Sequence, residues 1–209
     1  MSKQNLINNL TNSGLITRRS IKKAFERVDR KDFVLREYKD LAYADQSLPI
    51  GFDQTISQPS TVAFMLKLLN VKEGDLVLDV GSGSGWTSAL LAQIVSGSGF
   101  VTAVERIEDL INRSILNTKK YRFENIAFKK AGKELGYSEN APYDKILVSA
   151  TSDDIPEELI DQLKLEGVMV VPVKNSILRV KKTKSGAIRK RDFPGFVFVK
   201  LIKDEDDED

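Results

Sequence analysis

The 209-residue chain balances 32 Lys and Arg against 30 Asp and Glu and contains neither histidine nor cysteine. Those two absences exclude zinc sites of the usual kinds, Ser-His-Asp triads, thiol nucleophiles and disulfides. A hydrophobic content of 41% supports one core of ordinary size, and no apolar run approaches the ~20 residues of a membrane span.

The net charge of +2 is unevenly placed. The last six residues, 204–209, are all acidic, and setting them aside leaves a body of +8. Such a run is expected to be a solvated, disordered tail. The N-terminal stretch MSKQNLINNL has no apolar segment of the secretory kind, so a reducing cytosol is the expected compartment.

Residues 3–43 read as a helical prelude. Within it TRRSIKKAFERV sets Ile21, Ala24, Phe25 and Val28 at helical spacing behind Thr17 as N-cap. Residues 41–58, with Pro49 and Gly51 among polar side chains, read as an ordered loop. Ser57 or Ser60 then caps a helix reaching about Leu69.

From Gly74 strand and helix patterns alternate. Strands are expected at 76–80, 101–105, 126–131, 145–150 and 168–173, with helices at 86–95, 107–121 and from Pro156. That alternation predicts a doubly wound, mostly parallel α/β sheet of Rossmann-like kind. After Val173 two further strand candidates, 177–182 and 196–202, follow with no helix between them, which predicts an antiparallel C-terminal edge.

The stretch LVLDVGSGSGW places Gly81, Gly83 and Gly85 directly after a strand and at the start of a helix. Glycines there permit a tight turn and close backbone approach, and the helix start presents free N–H groups. Glu105 ends the next strand, where a carboxylate can accept both hydroxyl hydrogens of a ribose. The spacing is G-x-G-x-G, no Lys-Ser/Thr follows, and Asp79 precedes the first glycine by two positions. A nucleoside ligand without pyrophosphate, such as S-adenosylmethionine, suits this pattern. The plainer reading is that the glycines serve only the turn and Glu105 is an ordinary strand-end acid. No Asp/Glu cluster has metal-ligand spacing, so no metal is expected.

The segments ITRRSIKKAFERVDRKDFV, AYADQSLPIGFDQTISQPSTVAFML, VLDVGSGSGW, VTAVERIEDL, LGYSENAPYDKILVSA and IPEELIDQLKLEGVMVVPV occur in the order found in protein-L-isoaspartate O-methyltransferases, which the chain resembles from about residue 5 to 173. The resemblance implies a seven-stranded methyltransferase sheet. It implies a core for S-adenosylmethionine at 74–173, N-terminal helices and a substrate loop at 1–70, antiparallel strands at 174–203 and the tail at 204–209, all in a single domain. Thr55, Ile56 and Ser57 correspond to the loop beside the methyl donor and the isoaspartyl carboxylate, with Ser57 as the active-site serine. Asp79, Gly81, Ser82, Gly83 and Gly85 correspond to the donor loop, and Glu105 to the ribose acid. The implied activity is methyl esterification of the α-carboxylate of L-isoaspartyl residues in damaged proteins, the ester closing to a succinimide that reopens partly to aspartate.

The chain departs from the family at several positions. Phe52 and Asp53 follow Gly51, and Trp86 replaces a tyrosine. Gly132 and Lys133 replace an Asp-Gly pair whose aspartate meets the adenine amino group. Lys174 and Lys200 replace a glycine and a proline. Two alternatives therefore stand beside the first: a diverged enzyme esterifying another peptide carboxylate, and a non-catalytic relative without donor affinity.

The chemistry fits a chain without histidine. A carboxyl group with a solution pKa of about 4 is already ionised at neutral pH, so the nucleophile needs no general base. Ser57 can hold one carboxylate oxygen, cap the following helix, or do both. The run RVKKTKSGAIRKR at 179–191 holds seven basic residues in thirteen and reads as a solvated hairpin with Ser185-Gly186 at its tip. It lacks interleaved aromatics for nucleic acid. Isoaspartyl proteins and peptides are the expected partners, and the chain is expected to be a monomer.

Overall fold

The computed structural model describes residues 1–202, so the acidic tail expected at 204–209 lies outside the described residues. The elements in chain order are α1 (Lys3–Asn12), α2 (Arg19–Arg27), two 3-10 turns (Arg30–Asp32 and Arg36–Leu41), β1 (Leu48–Gly51), β2 (Gln54–Ile56) and α3 (Pro59–Leu69). There follow β3 (Leu76–Val80), α4 (Trp86–Val95), β4 (Phe100–Glu105), α5 (Glu108–Lys119), β5 (Ile126–Lys130), β6 (Tyr143–Val148), α6 (Glu157–Asp161), β7 (Leu163–Val173), β8 (Ser176–Lys182) and β9 (Ile188–Pro194).

Seven strands form one sheet in the order β5-β4-β3-β6-β7-β8-β9. The pairs from β5 through β7 are parallel, and β8 and β9 run antiparallel. The expected doubly wound sheet with an antiparallel C-terminal edge and an N-terminal helical extension is what the chain adopts. Its central strands are covered on both faces, which is why they read as near-continuous apolar runs. Val77 and Leu147 join the cluster that seats α1 to α4 on one face. Their neighbours Leu78, Ile146 and Val148 point the other way and pack with Leu159 of α6.

Four expectations are corrected. The seventh strand is 188–194, not 196–202. The turn closed by Thr183 N–H to the Ala187 carbonyl (2.8 Å) returns the chain at once, so the charged, exposed segment after it pairs with β8. Residues 196–202 keep an apolar rhythm because Phe196, Phe198 and Leu201 pack on the two clusters, and Lys200 forms only an isolated bridge to Thr151. Thr17 does not cap α2, whose N-cap is Arg18 without a side-chain bond. Neither Ser57 nor Ser60 caps α3: Gln58 occupies the N-cap, and Pro59 at the first position has no N–H to satisfy. The Ser60 N–H is met instead by Asp45 Oδ1 at 2.8 Å. Finally, residues 41–58 contain a hairpin. β1 and β2 pair through a two-residue turn at Phe52 and Asp53, both at positive φ (56° and 55°).

Two features of the β3–α4 junction are costly to alter. At Gly85, with φ of +84°, an added Cβ would stand 2.6 Å from Ser114 Cβ of α5. Asp79, 0% exposed, receives the Ser88 hydroxyl on Oδ2 at 2.6 Å while Oδ1 has no partner among the described residues. Burial raises its pKa to about 7, with the Ser88 bond opposing and the nearby Glu105 charge reinforcing the rise.

Gly85→Ala should lose about 3 kcal/mol of unfolding free energy in urea titrations, combining overpacking with left-handed strain. Asp79→Asn should reveal the buried proton. The folded protein holds it above the range where the unfolded chain releases it, so wild-type stability falls as pH rises from about 4 to 7. The advantage of Asp79→Asn should therefore be near zero at pH 4 and grow to a plateau above pH 7, on the order of 4 kcal/mol. A pH-independent difference would contradict the assigned burial.

Candidate active site

The carboxyl ends of β3, β4 and β6 open into a pocket of about 1010 Å³, its mouth included. Open α/β sheets bind ligands at this edge, where the strand order reverses between β3 and β6. The loop after β3 supplies the floor. Gly81, Gly83 and Gly85 all take positive φ (76°, 53° and 84°), which turns the chain tightly into α4. A Cβ on Gly83 would meet Ile50 Cδ1 at 3.3 Å, so glycine leaves room both for the hairpin above and for a ligand.

Glu105, 8% exposed, closes one side. Its Oε2 accepts the Gly83 N–H at 3.0 Å, and its Oε1 accepts the N–H groups of Arg106 (2.9 Å) and Ile107 (3.1 Å). The carboxylate is thus aimed by backbone. Three of its roughly four acceptor sites are used and one remains.

The hairpin and its continuation form the opposite wall. Thr55, Ile56 and Ser57 line the pocket, and so do Gly81, Ser82, Gly83 and Glu105. Two expected residues stand behind that wall: Asp79 is buried beneath the loop, and Gly85 packs on Ser114. The Ser82 hydroxyl and the Trp86 indole N–H are buried without a partner among the described residues. Gly132 lines the pocket with open space around it, Lys133 does not reach the wall, and Glu134 does.

A second cleft of about 750 Å³ adjoins the first. The two share Thr55, Ser57, Ser149 and Val199, so any two molecules occupying them meet at these four residues. The hydroxyls of Thr55, Ser57 and Ser149 make no side-chain hydrogen bond among the described residues and stay available to a ligand. The second cleft is lined by hydroxyls, Gln58 and the apolar segment 197–199, with no charged side chain.

Several of these residues escape sequence reasoning. Ser149 follows β6 at the carboxyl edge, whereas the strand expected at 145–150 enclosed it, so spacing did not mark it out. Residues 199–202 were read as a strand and instead wall the pocket. Arg30, 2% exposed, sits under the 42–57 segment although its helical context suggests a solvated side chain.

The family model described as Protein-L-isoaspartate(D-aspartate) O-methyltransferase matches residues 1–206. A relative named protein-L-isoaspartate O-methyltransferase, from Ignicoccus hospitalis, is 39% identical over 208 residues, covering 97% of this chain and 98% of that one. Another of the same name, from Methanothrix thermoacetophila, is 43% identical over 205 residues, covering 97% and 95%. A crystal structure of a Plasmodium falciparum protein described as a protein-L-isoaspartate O-methyltransferase, in complex with S-adenosyl-L-homocysteine, superposes with a TM-score of 0.86. It is 27% identical and the match covers 98% of this chain and 100% of that one. Because the match runs nearly end to end in sequence and in fold, the chain belongs to the protein-L-isoaspartate(D-aspartate) O-methyltransferase family.

Proposed function

We propose that the protein methylates the α-carboxylate of L-isoaspartyl residues in damaged proteins and peptides, with S-adenosylmethionine as donor, and so starts their repair through a succinimide. The observation that carries this reading is the meeting of two clefts at Thr55, Ser57, Ser149 and Val199. One cleft has the acid and glycine loop suited to a nucleoside; the other is lined by hydroxyls, Gln58 and apolar side chains and carries no charge.

The residues present fit the donor. Gly81, Ser82 and Gly83 offer a backbone cradle with an unpartnered hydroxyl, and the free acceptor site of Glu105 suits a ribose hydroxyl. Asp79 acts from behind, holding α4 through Ser88, while Gly85 lets the loop close on α5. At the far end Gly132 leaves space where an aspartate is usual in the family, and Glu134 brings a carboxylate to the same wall. That carboxylate favours the enzymatic reading over a relative without donor affinity.

When bound, the donor supplies an electrophilic methyl on a sulfonium. An isoaspartyl carboxylate oxygen forms the new C–O bond as the S–C bond breaks and its electron pair goes to sulfur. The chain's part is alignment and dryness. Ser57, with Thr55 beside it, holds the carboxylate by one oxygen and leaves the other free toward the donor. Ile56 and Val199 keep water from the junction. Placing reactants at about 3–3.5 Å in a fixed direction is worth roughly 7–11 kcal/mol in favourable cases. No residue has to take a proton.

The compartment we infer is the reducing cytosol, on the absence of cysteine; no helix among the described residues is long and apolar enough to cross a membrane. We also infer that nucleic acid is not a partner and that the protein acts as a monomer. Lys181 in the basic hairpin is paired with Glu166 at 2.9 Å, and Phe193 packs edge-on against Phe64, so neither is free for phosphates or bases.

Incubation with labelled donor and matched peptides tests the reading. Base-labile label should appear on the isoaspartyl peptide and not on its aspartyl twin; label on the aspartyl twin would mean another carboxylate is the substrate. Ser57→Ala should reduce turnover roughly 10- to 100-fold, the worth of a hydrogen bond to a charged group. Affinity for S-adenosylhomocysteine in calorimetry should stay nearly unchanged. Unaltered turnover would remove Ser57 from the mechanism.

A further inference from the structure

Among the described residues Arg30 is the one buried cation. No carboxylate bonds to its guanidinium. Five backbone carbonyls do: Nη1 donates to Ala42 (2.8 Å) and Ala44 (3.4 Å), and Nη2 to Gln46 (2.9 Å), Ser57 (3.1 Å) and Ile56 (3.5 Å). Its Cζ lies over the Trp86 ring, 5.3 Å from the centroid, and Trp86 lines the donor pocket. Burial lowers its pKa to about 10, opposed by the charge of Asp45, so it remains a cation at neutral pH.

These contacts tie together parts that are distant in sequence. The carbonyls of residues 42, 44 and 46 enter the hairpin, and those of 56 and 57 leave it, so one planar fork clamps both of its ends. Asp45, inside the clamped segment, receives the Ser60 N–H and starts α3 just beyond Ser57. Ser57 is therefore fixed at its own carbonyl by Arg30 and, three residues later, by the residue whose charge favours Arg30. The same guanidinium fixes the ring on the donor side.

We propose that Arg30 is a positioning residue for methyl transfer: through the Ser57 carbonyl and the Trp86 face it holds the carboxylate-binding hydroxyl in register with the donor pocket. This rests on the reading of Ser57 as the carboxylate's partner. Lysine at the same place brings three donors on a point charge and no plane, so it cannot bridge five carbonyls and stack at once. The geometry, rather than the charge, is what Arg30 contributes.

The test compares the full-length wild type, Arg30→Lys, Ser57→Ala and the double variant, with kcat expressed per site that binds S-adenosylhomocysteine in calorimetry. Arg30→Lys should lower kcat roughly 10- to 100-fold, with peptide KM and S-adenosylhomocysteine Kd within about threefold of wild type. The emission of Trp86, the sole tryptophan, should shift in Arg30→Lys. The double variant should lose little more than the more damaging single change, because both act through one hydroxyl. A kcat per binding site equal to wild type would reduce Arg30 to a structural role and overturn the proposal. Fully multiplicative losses in the double variant would overturn it too. An inert Ser57→Ala would instead refute the underlying reading of Ser57. If Arg30→Lys fails to fold, Arg30→Gln, which keeps a planar pair of donors without the charge, is measured by the same criteria.

Discussion

A guanidinium leaves water at a cost of several kcal/mol unless nearly every N–H finds an acceptor. Both terminal nitrogens of Arg30 meet main-chain oxygens, while its buried Nε has no partner among the described residues, so the backbone from Ala42 to Ser57 has to converge on the two Nη groups. The hairpin above the pocket is shaped by this demand at its base. At its tip a second cation completes the arrangement: Arg113 of α5 donates to the Ile50 carbonyl and lies 5.9 Å from the Phe52 ring. A segment of three- and four-residue strands would be marginal alone. Held at both ends by charged side chains, it lowers Ile50 onto the glycine loop, and the absence of a side chain at Gly83 follows from that contact.

The parts of the fold that could be read from sequence are those governed by local rules. The alternation from Gly74 to Val173 specifies parallel strands because both faces are covered, and only strongly apolar runs survive there. The glycine loop is legible because a left-handed turn into a helix admits few residues. The edge strand β9 was hidden for the opposite reason. Exposed and rich in Arg and Lys, it carries no apolar period, while residues 196–202 show one by packing across strand ends without joining the sheet. Caps were misread at Thr17, Ser57 and Ser60. Pro59 removes one donor at the start of α3, and Asp45 answers another from fifteen residues away. Asp79 is legible as belonging to the loop, but not as lying beneath it. Arg30 and Ser149 depend on tertiary convergence that spacing does not encode.

The chemistry explains why a site without histidine or cysteine is sufficient. The nucleophile arrives ionised, and the work left to the protein is orientation. Uncharged donors suit that task better than a strong base. A buried cation at the junction would hold a carboxylate in its ground state, whereas uncharged hydroxyls such as those of Thr55, Ser57 and Ser149, where the two clefts meet, would align one while leaving most of its reactivity intact. Three charged groups around the site are engaged elsewhere: Asp79 lies below the loop, Glu105 is engaged by three N–H groups, and Arg30 is spent on carbonyls.

The turn at Phe52 and Asp53 has a chemical side. A two-residue hairpin turn with both central residues at positive φ is most easily built from Asn-Gly or Asp-Gly. Here it is built from a bulky aromatic and an aspartate, at a strain of about 1 kcal/mol or more for Phe52. None of the thirteen glycines in the chain follows an asparagine or an aspartate. Those dipeptides are where an unhindered backbone nitrogen most readily attacks the side chain before it and begins conversion to isoaspartate. The strained turn thus keeps out of the loop over the pocket the dipeptide most prone to the reaction whose products its family handles.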